Sequence, residues 1–172
     1  MEYKVAVIIP TLNEEKFIAR CLDSVIEQSY PFRDMDVMVV DGGSNDRTRE
    51  IVEEYGRKYI NIRFIHNPGR IQSIAFNIGV ENSDAPYIVR LDAHALYNKD
   101  YIEKCIAGLQ NDTQIGNVGG RCIILPFNDT LWANTNAILN YSRFGIGGSA
   151  FRVGVKPDFV DSVPFGAFPR TV

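Results

Sequence analysis

The chain is organised by uninterrupted apolar runs that stop at a polar or glycine-rich break and alternate with helical periods. Val5-Ala6-Val7-Ile8-Ile9 stops at Pro10 and Asp36-Val37-Met38-Val39-Val40 at Asp41-Gly42-Gly43, and the buried strand read at Tyr87 to Leu91 stops at Asp92. Runs with no polar alternation are strands covered on both faces. Ile62 to Ile65 reads as a further short strand, and Val118 to Leu125 as a fifth. Between them, apolar residues recur at helical spacing over Glu14–Gln28, Ser44–Lys58, Ile71–Glu81, Lys99–Leu109 and Thr130–Tyr141. Asn13 and Ser44 are placed as N-caps, with Glu14 and Glu15 suiting the first helix's positive end. Strands alternating with helices of this length imply right-handed crossovers, so the expectation is an α/β fold: a mostly parallel, Rossmann-like sheet with helices on both faces.

Ligands of such sheets bind beyond the carboxyl ends of the strands. That rule selects three loops: Pro10 to Glu15, Asp41 to Asp46, and Asp92 to Tyr97. Asp41 ends a strand, and two glycines after it let a flat ligand approach the backbone. Its carboxylate can accept a hydrogen bond from a base ring N–H, or can simply shape the turn. Asp92 and His94 are two residues apart, so on an extended segment they point the same way and can face one metal ion, better Mn²⁺ than Mg²⁺ given the imidazole. The alternative is a loop-capping Asp92 and a surface imidazole. Arg70, in the turn Asn67-Pro68-Gly69-Arg70 before a helix, can bind two phosphate oxygens or remain a solvated arginine. His66 is read as structural.

The bulk properties exclude several classes. At 172 residues the expectation is one domain over 1–172. The net charge of −3 gives no footprint for nucleic acid. Cys21, Cys105 and Cys122 are odd in number and widely spaced, so they read as small buried residues in a reducing cytoplasm rather than a disulfide or zinc framework. No basic-then-apolar leader opens the sequence, and no stretch reaches the length of a membrane span. A dinucleotide fingerprint, a Walker loop and a nucleophile elbow are all missing, and the cysteines lack a neighbouring base.

Taken together, the motifs resemble family-2 glycosyltransferases of the GT-A fold. Ile9-Pro10-Thr11-Leu12-Asn13-Glu14-Glu15 is similar to that family's first motif and Val40-Asp41-Gly42-Gly43-Ser44-Asn45-Asp46-Arg47-Thr48 to its second. Asn67-x-Gly69, Asn77-x-Gly79 and Leu91-Asp92 continue in the same order. Gly119-Gly120-Arg121, Phe144 to Gly147 and Asp161 to Gly166 resemble the subgroup that builds bacterial exopolysaccharide, the succinoglycan-biosynthesis type. The resemblance implies a nucleotide-sugar site made of Pro10, Thr11, Asn13, Glu14, Glu15, Asp41, Gly42, Gly43, Arg70, Asn77 and Asp92. It implies a uridine diphosphate sugar as donor, a glycan or lipid-linked acceptor, and transfer with inversion. A divalent metal, Mn²⁺ or Mg²⁺, would sit at Asp92 and His94, in a cytoplasmic protein acting at the inner face of the membrane.

Three positions depart from the family pattern. His94 stands at the second acidic position of the metal signature. Phe76 stands before Asn77, where many members carry arginine, which leaves Arg70 for the phosphates. An inverting enzyme also needs a carboxylate to take the acceptor proton, and the family's acidic motif is expected beyond Val172; within the chain, Asp158 and Asp161 are available, and Asp161 is the candidate retained. The chain is therefore expected to be the donor half of a longer protein, lacking its acceptor-side end and inactive alone. Two other classes stay open, a sugar nucleotidyltransferase and a non-catalytic nucleotide-binding module.

Overall fold

The computed structural model describes residues 3–123, 129–140, 158–160 and 163–171. Residues 1–118 with 165–172 form one compact unit and residues 119–164 another. The first holds a five-stranded sheet in the order β3-β2-β1-β4-β5. Its strands are β1 (Val5–Thr11), β2 (Met35–Asp41), β3 (Ile62–His66), β4 (Tyr87–Arg90) and β5 (Ala167–Pro169). The first four are mutually parallel and β5 runs antiparallel to β4. The mostly parallel α/β sheet expected from the apolar runs is therefore present.

The strand pleat sorts the core. Val5, Val7 and Ile9 of β1, with Val37, Val39 and Val89, pack against Cys21, Leu22 and Val25 of α1 (Ile18–Ile26), Val52 of α2 (Thr48–Lys58) and Ile102 and Ile106 of α4 (Tyr101–Asn111). The alternate residues Ala6, Ile8, Met38, Val40 and Ile88 face Ala75 of α3 (Gln72–Glu81). Each fully buried Ile, Leu or Val contributes about 1.5–3 kcal/mol relative to exposure. Gly79 lets α3 lie close on the sheet, because a Cβ there would meet Ile8 side-chain atoms at 2.6 Å. Pro10 is tolerated in a central strand because β1 pairs with β4 only as far as Ile8↔Arg90.

Three element boundaries differ from the sequence expectation. Helix α1 begins at Ile18, not Glu14, and α2 at Thr48, not Ser44; the intervening residues are taken up by contacts between the two loops. The strand placed at Val118–Leu125 is reduced to a single antiparallel bridge, Val118↔Ala167, with residues 119–123 outside any strand and 124–125 outside the described residues. The sheet position goes to Ala167-Phe168-Pro169, short enough and close enough to an edge to carry a proline. In the second unit, α5 (Leu131–Leu139) is capped by Thr130, whose hydroxyl accepts from Ala133 N at 3.3 Å. Among the described residues no helix is long and apolar enough to cross a membrane.

Candidate functional site

The loops after β1 and β2 clasp each other through their backbones. Asn13 N donates to Ser44 Oγ at 2.8 Å, and Asn13 Oδ1 accepts from Asn45 N at 2.9 Å. Glu14 N donates to Thr48 Oγ1 at 2.8 Å and Glu15 N to Asp46 Oδ2 at 3.1 Å, while Glu15 Oε2 accepts from Arg47 N at 3.1 Å. Asn13 is thus not a helix cap: its φ of 57° is left-handed, and its side chain serves the neighbouring loop. Ser44 is likewise not a cap. Glu15 is committed to the clasp, whereas the Glu14 carboxylate is free of it and reaches the loop after β4.

Asp41 is the pivot of the β2 end and is 2% exposed. Its Oδ2 accepts from Gly43 N at 2.9 Å and Ser44 N at 2.8 Å, and its Oδ1 accepts the Ser44 hydroxyl. A carboxylate has about four acceptor positions, so the turn fills most of them and leaves room for one further donor. Beside it, Thr11 Oγ1 is buried with no hydrogen-bond partner among the described residues. Gly42 N donates to Thr11 O at 2.9 Å, and Asn67 N to Asp41 O at 2.7 Å, so the ends of β1, β2 and β3 are drawn together. Gly42 is pressed against the backbone of Arg70, where a Cβ would stand 3.3 Å from Arg70 O; Gly43 has a φ of +86° that only glycine adopts freely.

Arg70 follows β3 and has a left-handed φ of 60°. Its guanidinium lies along Gly43, whose added Cβ would stand 3.8 Å from Arg70 Nε, and it has no ion-pair partner among the described residues. Strands β2 and β1 separate it from β4, a distance of about 14 Å at the usual strand spacing. Arg70 therefore stands at the Asp41 end of the site, away from Asp92. Asn77 is exposed on α3, and no described hydrogen bond joins it to the other site residues.

At the β4 end Asp92 and His94 take different side-chain partners. Ala95 N donates to Asp92 O at 3.1 Å, so residues 92–95 make a turn and the two-residue alternation of an extended segment no longer applies. His94 is 60% exposed and its Nδ1 lies 3.1 Å from Glu14 Oε1. Asp92, with a side chain 13% exposed, instead has its Oδ1 3.3 Å from Arg90 Nη2 and 3.5 Å from Gln72 Nε2. Its backbone is tied down by Tyr97, whose hydroxyl accepts from Asp92 N at 2.7 Å, and by Cys21 Sγ, which donates to Asp92 O at 3.6 Å. Burial, with Asp92 and Glu14 nearby, pushes the Cys21 thiol up to about 12, so it stays neutral and is no nucleophile. Cys105 is also buried, while Cys122 is half-buried rather than core. Arg90, Gln72 and Tyr97 were not singled out in the sequence; Arg90 at position i−2 of Asp92 was the available signal.

No group of three acidic, histidine or cysteine side chains gathers among the described residues. A divalent ion bound with a diphosphate needs only one or two protein carboxylates, the phosphates and water completing its shell. The Asp92 carboxylate, with Oδ2 left over from its contacts to Arg90 and Gln72, fits that limited demand; His94 in this position does not. Asp161 and the stretch Phe144–Gly147 lie outside the described residues, and Asp158 Oδ1 accepts from Phe159 N at 2.8 Å. Among the described residues, the three non-glycine residues of positive φ, Asn13, Arg70 and Phe165, flank this same edge: two follow β1 and β3, and the third precedes the antiparallel β5. Strained backbone of this kind concentrates at functional sites.

The model for "Glycosyl transferase family 2" matches residues 6–163. The chain is 31% identical over 170 residues to the dolichyl N-acetyl-alpha-D-glucosaminyl phosphate 3-beta-D-2,3-diacetamido-2,3-dideoxy-beta-D-glucuronosyltransferase of Methanococcus voltae, covering 95% of this chain and 52% of that protein. Among solved structures it is similar to the mannosyltransferase PcManGT from Pyrobaculum calidifontis in complex with GDP-Man and Mn²⁺ (TM-score 0.63, 26% identity, 81% of this chain and 39% of that one). It is also similar to TarS of S. aureus in complex with UDP (TM-score 0.57, 25% identity, 76% and 40%). The chain spans about half or less of the length of the curated relatives it matches.

Proposed function

Because this chain belongs to glycosyl transferase family 2, we propose that it is the donor-binding part of a glycosyltransferase that moves a sugar from a uridine diphosphate sugar to a glycan or lipid-linked acceptor with inversion. One observation carries the reading: Asp41 ends β2 and Asp92 lies just past the end of β4, on either side of β1 at one edge of the sheet, with the Thr11 hydroxyl, unpartnered among the described residues, between them. That is about 10 Å from carboxylate-bearing strand end to strand end, a span for an extended ligand with a ring donor at one end and a diphosphate at the other.

The roles follow from chemistry. Asp41 accepts the ring N–H, a bond to a charged acceptor worth about 1.5–3 kcal/mol. Thr11 supplies its hydroxyl to the base or ribose. Pro10, Asn13 and Glu15 hold the loop in place, and Gly42 and Gly43 form the shelf on which the ring lies. Arg70 stands over that shelf and donates to the same end of the ligand. Glu14 and Asn77 border the site. Asp92 would hold Mn²⁺ or Mg²⁺, and such an ion would supply positive charge to neutralise the departing diphosphate. The acceptor hydroxyl attacks in line from the far side of the anomeric carbon, and we place the carboxylate that takes its proton outside the described residues.

The UDP bound in TarS supports the uridine donor and the GDP-Man in PcManGT supports a nucleotide sugar in general, while the dolichyl-linked substrate in the relative's name favours a lipid-linked acceptor at the membrane face. The exopolysaccharide subgroup rests on the motifs Gly119-Gly120-Arg121, Phe144 to Gly147 and Asp161 to Gly166. The test is a panel of labelled uridine and guanosine diphosphate sugars, offered with lipid-linked acceptors to the full-length protein. Transfer from a uridine donor with inverted product stereochemistry is expected; transfer from guanosine donors alone would contradict the uridine assignment.

A further inference from the structure

Arg90 is the residue whose environment the reading above leaves unexplained. It closes β4, is one-third exposed, and pairs with Ile8 of β1. Its Nη2 lies 3.3 Å from Asp92 Oδ1, the carboxylate assigned to the metal, while its Nε is buried with no partner among the described residues. Its backbone is fixed as well, with Arg90 N donating to Gly166 O at 3.0 Å. A fixed guanidinium beside a metal carboxylate is a resident cation competing for the same negative charge, and arginine cannot lose its proton to step aside.

Resting on the donor-binding reading, we propose that Arg90 is a positioning residue that couples metal loading to nucleotide binding. In the free protein it satisfies Asp92 and repels a dication. A bound diphosphate offsets that repulsion, since it brings negative charge for both the guanidinium and the ion. Metal and nucleotide then raise each other's affinity by the same factor, as linkage requires. Gln72, the other partner of Asp92 Oδ1, is neutral and has no part in this charge balance.

The experiment is a set of calorimetric titrations of Mn²⁺ into this chain, with and without saturating UDP, on wild type, Arg90→Gln and Arg90→Lys. For the wild type, UDP should tighten Mn²⁺ binding within the roughly 5–150-fold range of measured couplings. In Arg90→Gln, Mn²⁺ alone should bind about tenfold more tightly and the enhancement by UDP should fall below about threefold, while Arg90→Lys keeps the wild-type pattern. Unchanged Mn²⁺ affinity in Arg90→Gln, or a wild type whose Mn²⁺ affinity ignores UDP, overturns the proposal. Should Arg90→Gln fail to fold, Arg90→Met is read in the same titrations, with the same expected and overturning results. Absence of UDP binding to wild type at saturating Mn²⁺ would instead overturn the donor-binding reading, and the titrations of Mn²⁺ alone would still decide the role of Arg90.

Discussion

His94 Nδ1 lies 3.1 Å from Glu14 Oε1, and this contact joins the loop after β4 to the loop after β1. Exposed pairs of this kind are worth about 0–1 kcal/mol. His94→Ala should therefore leave thermal stability nearly unchanged and alter Mn²⁺ affinity in the presence of UDP by less than about threefold, since a lost ligand would cost tenfold or more. A tenfold loss, with Mn²⁺ no longer preferred over Mg²⁺, would return His94 to the metal shell.

Asp46 holds the clasp between the two loops, accepting from Glu15 N, Thr48 N and Thr48 Oγ1. Burial opposes its ionisation, but these hydrogen bonds outweigh burial and hold its carboxyl below the ordinary value of 3.8. Asp46→Ala should lose about 1–2 kcal/mol in urea unfolding at pH 7. Because the folded carboxyl titrates below the unfolded one, its contribution is present above pH 3.8 and lost as the pH falls through the folded value. The gap between Asp46→Ala and wild type should narrow as the pH drops below about 4; a gap that stays constant would show that the charge is not what stabilises the clasp.

Gly79 carries the close approach of α3 to the sheet. A methyl group there would meet Ile8 at 2.6 Å, against side-chain atoms that are themselves fully buried. Gly79→Ala should destabilise by about 1–3 kcal/mol despite the better helix propensity of alanine. A neutral or stabilising effect in denaturant titration would mean that α3 can shift outward without loss.

The sheet was legible because its two central strands β1 and β2 carry continuous apolar runs, a pattern set by burial on both faces and independent of distant residues, and β3 and β4 are shorter apolar-rich segments between helical periods. The short strand Ala167–Pro169 was not, since three residues with a proline carry no period, and Val118–Leu125 misled because apolar content there outweighed two glycines and an arginine. The positions of Asp41 and Asp92 at strand ends followed from where the runs stop. Arg90 and Gln72 did not, because their role lies in a contact that brings the end of β4 to the first turn of α3. The same limit applies to Asn13 and Glu15: capping explained them locally, whereas their partners are about thirty residues away on another loop.

The central claim is that the carboxyl edge of the sheet reads a uracil ring through Asp41. The measurement that tests it most directly is calorimetric titration of UDP, at saturating Mn²⁺, into wild type and Asp41→Asn. The asparagine is nearly isosteric and can still accept from the turn amides, but its carboxamide lacks the charge and can present a donor to the ring N–H. An affinity loss of at least tenfold, about 1.4 kcal/mol, with unchanged thermal unfolding is the predicted result. UDP binding of equal affinity in both proteins would contradict it, leaving Asp41 as the organiser of the Gly43–Ser44 turn and nothing more.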